Sequence, residues 1–220
     1  MIEQSMTTGH ALWIDRNPLI LASTSATRLQ LVQAAGIAAE TRNPAIDERA
    51  AEKEHQVENE SAEAIALLLA REKALAVSRR EPGRLTLGAD QTLACEGRKF
   101  DKPATMEAAR SQILALSGRT HYLHSAGVLA RDGVPVFSVV NTASLTMPKM
   151  SGSFVDRYLE SIGEAALRSV GGYQLEGLGI QLFSRIEGDY FTILGLPLLP
   201  LLQALRELGS LMPLEESVQT

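Results

Sequence analysis

The chain has 220 residues, enough to bury a substantial core in one or two domains. Its formal charge of −5, from 21 Lys and Arg against 26 Asp and Glu, disfavours nonspecific nucleic-acid binding, although local basic clusters can still grip a small polyanion. Cys95 is the only cysteine, which excludes an intrachain disulfide framework and a multi-cysteine metal cluster, suits a reducing cytoplasm, and predicts a buried apolar role for the thiol.

Residues 1–18 lack the basic flank and apolar stretch of a secretory signal and read as a loose extension. Leu19 to Ala22 then predicts a short buried strand, and Ser25 caps a helix carrying Leu29 and Val32, closed by Gly36. The stretch NPAIDERAAEKEHQVENE reads as a polar loop. After it, Ser61 caps a longer helix running to Arg80, apolar on nearly every side. Such a helix is largely buried, so Glu72 and Lys73 need partners.

RLTLGADQTLAC predicts a strand with a return strand after Gly97, and TMEAARSQILALSG a helix with Met106, Ala109, Ile113 and Leu116 inward. Asp132-Gly133 predicts a hairpin, SFVDRYLESIG a helix, and Gly188-Asp189 a second hairpin. FTILGLPLLPLLQAL reads as core strand, turn and closing helix to Leu208. Interrupted by Gly195, Pro197 and Pro200, it falls short of the ~20 apolar residues that span a bilayer. The sum is an α/β domain over 19–209, a mixed twisted sheet with flanking helices in two lobes around a central cleft, followed by a tail over 210–220.

Several polar residues stand where chemistry is possible. Ser23, Thr24 and Ser25 lie at a helix N-terminus, where free backbone N–H groups, hydroxyls and the fork of Arg28 suit phosphate oxygens; an ordinary cap beside a surface arginine accounts for them equally. Asp90, at the end of an apolar strand, either holds a divalent cation, orients a water, or caps a turn. Lys102, extended before Pro103, either neutralises phosphate or is a solvated loop lysine. Asp47 and Glu48 form a carboxylate pair in the loop, and Lys73 contributes to an internal polar network or to the wall of an anion site. Glu176, in GGYQLEGLG, is either a loop glutamate or an acceptor for the paired N–H donors of guanine. The four histidines, His10, His55, His121 and His124, form no helix-spaced zinc pair, and His121 and His124 point to opposite faces of a strand.

Taken in order, LILASTSATR, IDE, AREKA, GADQ, FDKP and GGYQLEGLG followed by IEGDYFTILGLPL resemble the Maf family of nucleoside triphosphate pyrophosphatases from about Leu19 to about Leu208. The resemblance implies a Maf-like two-lobed fold and hydrolysis of a nucleotide's α–β phosphoanhydride, giving a nucleoside monophosphate and pyrophosphate. It implies Asp90 as proton acceptor for the attacking water, with Glu48, Lys73 and Lys102 alongside in the catalytic group. Ser23, Ser25, Arg28, Gln91 and Glu176 would bind substrate, and Asp90 and Glu48 would hold Mg or Mn. A homodimer is a further expectation of the resemblance; a nucleic acid or membrane partner is not.

Two departures bear on the base. Ala26 replaces the usual proline of the opening motif, and Thr27 stands where one branch has arginine and another an aromatic residue. The pair Gln91 and Glu176 resembles the branch acting on 7-methyl-GTP. The alternatives are a broad or pyrimidine-preferring pyrophosphatase, and a nucleotide-binding division regulator without turnover.

Overall fold

A computed structural model describes residues 11–55 and 61–214. Residues 1–10 of the N-terminal extension, including His10, the end of the polar loop and most of the C-terminal tail lie outside the described residues.

The chain begins with β1 (Leu19–Ala22), α1 (Ala26–Ala34), β2 (Ala39–Thr41), α2 (Glu48–Glu54) and α3 (Ala62–Ser78). The hairpin β3 (Thr86–Cys95) and β4 (Arg98–Phe100) follows, then α4 (Met106–Leu116). A long hairpin of β5 (Thr120–Arg131) and β6 (Val134–Thr146) leads to α5 (Gly152–Ile162), a run of 3-10 turns, β7 (Arg185–Glu187), α6 (Tyr190–Ile193) and α7 (Leu198–Glu207). Seven strands make one sheet in the order β2-β1-β3-β5-β6-β7, with β4 beside β3. β1 runs parallel to β2 and β3, and every other pairing is antiparallel, so the sheet is mixed and the class is α/β.

Period-two alternation assigns each strand residue a face. Leu19 and Leu21 of β1, with Leu87 and Ala89 of β3 and Leu129 of β5, pack against α1 and α7. Farther along that face, Leu93, Cys95 and Leu123 pack with residues of α4, α5 and the 3-10 turns. The opposite face carries α3, whose Ala66, Ala70 and Ala74 meet Ala126, Val128 and Ala130. Contact is close because β3 offers Gly88 there: a Cβ on it would lie 2.1 Å from the Ala70 carbonyl oxygen. Gln91 and Ser125, paired across β3 and β5, mark the seam between the two apolar clusters of the first face.

Expected features recur with their physical causes. Ser25 and Ser61 accept from the backbone N–H groups of Arg28 and Ala64, and Gly97 turns the β3–β4 hairpin at φ 77°. Asp132 and Gly133 both take positive φ, as a two-residue hairpin turn requires. Cys95 is buried, and burial pushes its thiol up.

Other expectations are corrected. The polar loop contains α2, a short charged helix without any buried residue, capped by Asp47. No hairpin turns at Gly188-Asp189: β7 pairs back on β6, and the Asp189 carboxylate accepts from Phe191 N and Thr192 N to start α6 where a core strand was expected. β2 was not foreseen. Within the extension, Trp13 bridges Leu211, and Ile14 N donates to Ser210 O. Among the described residues no helix is long and apolar enough to cross a membrane.

Candidate active site

A cavity of ≈ 990 Å³ opens beside β3, with Leu123, Tyr173, Leu175 and Ile193 of the second cluster in its lining. Its walls come from the β1–α1 turn, the start of α2, α3, the middle of β3, the end of the β3–β4 hairpin and the 3-10 segment after α5. That volume lies at the upper end of small-molecule sites. Ser23, Ser25, Arg28, Glu48, Lys73, Asp90, Gln91, Lys102 and Glu176 all line it, although they span most of the chain.

At one end the polar groups are tightly linked. Lys73, on α3, and Asp90, on the same face of β3, are both buried. The Lys73 Nζ donates to Asp90 Oδ1 at 2.5 Å and lies 2.6 Å from Glu48 Oε1. Lys73 thus has the partner its apolar helix demanded. Glu72 is half-exposed and has no ion pair among the described residues. Burial pushes the Asp90 carboxyl above its ordinary value, with Lys73 and then Arg28 pulling it back.

Arg28 is anchored by backbone. Its Nε donates to Gly195 O at 2.9 Å and its Nη1 to Ala89 O at 3.0 Å, with Ser23 Oγ at 3.5 Å. Burial lowers its pKa, yet a guanidinium stays charged at any physiological pH. Ser23 and Ser25 accept local backbone N–H groups through Oγ, which leaves each hydroxyl hydrogen for a ligand. Burial, then the neighbouring charges of Arg28 and Lys73, lower the Lys102 ammonium.

Gln91 is more committed than the sequence suggests. Its Nε2 lies 3.0 Å from each of Ser125 Oγ, Thr192 O and Ile193 O, which share its two hydrogens. It therefore braces the α6 corner that also supplies Gly195 O to Arg28. Leu167–Val170 and Tyr173–Glu176 supply a further wall of the cavity, and Glu176 stands exposed on it.

Sequence reasoning passed over Arg49, Glu52, Lys99 and Arg168, which line the same cavity. Lys99 bonds Glu52 at 2.8 and 3.0 Å, tying β4 to α2. A helix read as loop hides such a pair, because only the fold brings residues 47 apart into contact.

Could the site take a metal? Among the described residues no cluster of three or more His, Cys, Asp or Glu is placed to hold one. The carboxylates of Asp90 and Glu48 are brought together by the Lys73 ammonium, which bonds Oδ1 of one and Oε1 of the other and leaves a second oxygen on each. Two hard oxygen donors beside a polyanion pocket fit Mg or Mn, which complete their shells with water and phosphate oxygens.

The family model described as Maf-like protein matches residues 18–208. A protein of Nitrobacter winogradskyi named nucleoside triphosphate pyrophosphatase is 53% identical over 196 residues, 89% of this chain and 96% of its own. Proteins of Mesorhizobium japonicum and Rhizobium meliloti named 7-methyl-GTP pyrophosphatase are 52% and 51% identical, each covering 88% of this chain and 97% of their own. A nucleoside-triphosphatase structure from Mycobacterium abscessus aligns at TM-score 0.35 and 17% identity over 61% of this chain and 76% of its own, a likeness too remote to bear on function.

Proposed function

The chain belongs to the Maf-like protein family, and from that premise we propose that it is a nucleoside triphosphate pyrophosphatase, cleaving the α–β phosphoanhydride to a nucleoside monophosphate and pyrophosphate. The observation that carries the reading is the Lys73 ammonium, shared between Asp90 and Glu48 in a cavity that also presents Arg28 and Lys102.

Polyanion and water have separate partners in this arrangement. Ser23, Ser25, the α1 N-terminus, Arg28 and Lys102 receive the phosphate oxygens. Asp90 keeps Oδ1 on Lys73, while Oδ2 accepts from no described residue and is the atom that takes a water proton. The water oxygen bonds to the α-phosphorus as the bond to the α–β bridging oxygen breaks. Its electron pair leaves with pyrophosphate. A carboxyl raised by burial is a stronger base once ionised, and Lys73 holds it ionised and aimed. Mg or Mn would be held by Asp90 and Glu48 on the side of their carboxylates away from Lys73, and would supply neutralisation of phosphate charge.

For the base we propose 7-methyl-GTP, because relatives bearing that name are as similar as those with the broader one, and because the pair Gln91 and Glu176 resembles that branch. The carboxylate of Glu176 suits both the N–H donors and the positive charge of a 7-methylguanine. Exposure of Glu176 favours a second reading, a broad base tolerance, since a solvated acceptor discriminates weakly. Pyrophosphate release from 7-methyl-GTP, GTP, CTP, UTP and dTTP in parallel decides between them. Activity concentrated on 7-methyl-GTP supports the first reading, and equal rates support the second.

A further inference from the structure

The base-side wall of the cavity hangs from a buried polar pair. His121, on β5, is fully buried, and its Nε2 lies 2.7 Å from the hydroxyl of Tyr173, itself 4% exposed. Both rings pack on Phe183, Tyr173 edge-on with centroids 4.9 Å apart and His121 tilted at 5.9 Å. The cluster around them is mostly apolar, with Leu93, Leu123, Leu145 and Leu182, and its other buried hydroxyl is that of Tyr158. The Nδ1 of His121 has no hydrogen-bond partner among the described residues. A Leu and a Phe would fill such a place without burying an imidazole and a phenol, so stability alone gives no reason for the pair.

Position supplies one. Tyr173 follows Gly171 and Gly172, both at positive φ, 78° and 75°. A Cβ on Gly171 would lie 2.8 Å from Leu93 Cδ1 and from the Tyr173 ring. That turn can therefore be made only by glycine, and it drives the next side chain into the core. Immediately afterwards the chain lines the cavity with Gln174, Leu175 and Glu176, then turns tightly, with Gly177 N donating to Gln174 O at 3.3 Å. A Cβ on Gly179 would stand 2.3 Å from that same carbonyl oxygen. The wall is thus a rigid loop whose depth is set where the Tyr173 hydroxyl meets His121.

We propose that His121 and Tyr173 are positioning residues for base recognition: their hydrogen bond fixes the 174–176 wall and so sets how tightly the nucleobase, and not the triphosphate, is held. This rests on the nucleotide reading of the cavity, with the base at the 167–176 end. Neither residue hydrogen-bonds to Lys73, Asp90 or Arg28, whose bonds go to one another, to Glu48 and Ser23, or to backbone.

The test measures binding by calorimetry on the full chain, which keeps it independent of turnover. The probes are the non-hydrolysable α,β-methylene analogue of GTP and inorganic tripolyphosphate, which has no base. Tyr173→Phe keeps the ring and removes only the hydroxyl. It should weaken the GTP analogue about five- to tenfold, as loss of one buried hydrogen bond implies, and leave tripolyphosphate within about twofold. His121→Leu should do the same, the double variant should be no worse than either single one, and His121→Gln, which returns an amide near Nε2, should recover most of the affinity. Melting temperature verifies that each variant is folded.

Equal weakening of both probes would mean a merely structural pair and overturn the proposal, as would unchanged analogue binding in Tyr173→Phe. It is overturned too if the parent holds the analogue no more tightly than tripolyphosphate. Failure of the pyrophosphatase reading shows separately, as absence of pyrophosphate release by the parent.

Discussion

The Lys73 ammonium donates to Asp90 Oδ1 across 2.5 Å and so joins α3 to β3 at the phosphate end of the cavity. Only 9% of the Lys73 side chain and 11% of the Asp90 side chain are exposed, whereas the second carboxylate on that ammonium, Glu48, is 52% exposed. The two ion pairs therefore differ in kind. A buried pair broken on one side leaves an uncompensated charge, at a cost of about 3 kcal/mol or more, while an exposed pair contributes at most about 1 kcal/mol.

Lys73→Met should accordingly lose about 3 kcal/mol in urea unfolding and at least about 100-fold in kcat, because Asp90 is then held neutral by its burial. Glu48→Gln should unfold within about 1 kcal/mol of the parent yet need more Mg for half-maximal rate. If Glu48→Gln shows the parent's Mg dependence, Glu48 is not a metal ligand.

Gly88 admits α3 to the sheet. In Gly88→Ala the new methyl would meet Ala70 O at 2.1 Å and Ala74 N at 2.5 Å, both backbone atoms, so the helix must move. Overpacking of this sort costs about 1–3 kcal/mol. Since Lys73 sits beside Ala74, activity should fall as well, and a variant with the parent's stability and rate would show that this contact is not what places Lys73.

His121 makes stability depend on pH. Burial lowers its pKa from 6.5 to about 4 in the folded chain. The unfolded chain thus takes up the proton first, and stability is complete above about pH 6.5 and declines as pH falls toward 4. The difference amounts to about 3 kcal/mol across that window. Urea unfolding of the parent and of His121→Gln between pH 4 and pH 7 measures it: the variant should lack this part of the slope, and identical slopes would contradict the burial argument.

Much of the framework is written locally. Ser25 and Ser61 announce helices because a hydroxyl before an apolar run satisfies an orphan N–H, and Asp132-Gly133 announces a hairpin because both residues tolerate positive φ. Lys73 is conspicuous on its apolar helix, but its partner is not readable, since Asp90 reaches it only through the approach that Gly88 permits. α2 escapes notice because it buries nothing and is held by Lys73 and Lys99 from distant elements. α6 escapes because Phe191, Thr192 and Ile193 favour strand, and the override comes from Asp189 capping two backbone N–H groups. Gln91 reads as a pocket residue, whereas the acceptors that engage its amide lie on β5 and α6, far along the chain.

The most direct measurement follows the products of nucleoside triphosphate hydrolysis with Mg, for the parent and Asp90→Asn side by side. The account predicts monophosphate and pyrophosphate in equal amounts from the parent, and a rate at least about 100-fold lower in a folded Asp90→Asn. Orthophosphate as the released product, or an Asp90→Asn variant as fast as the parent, would contradict it.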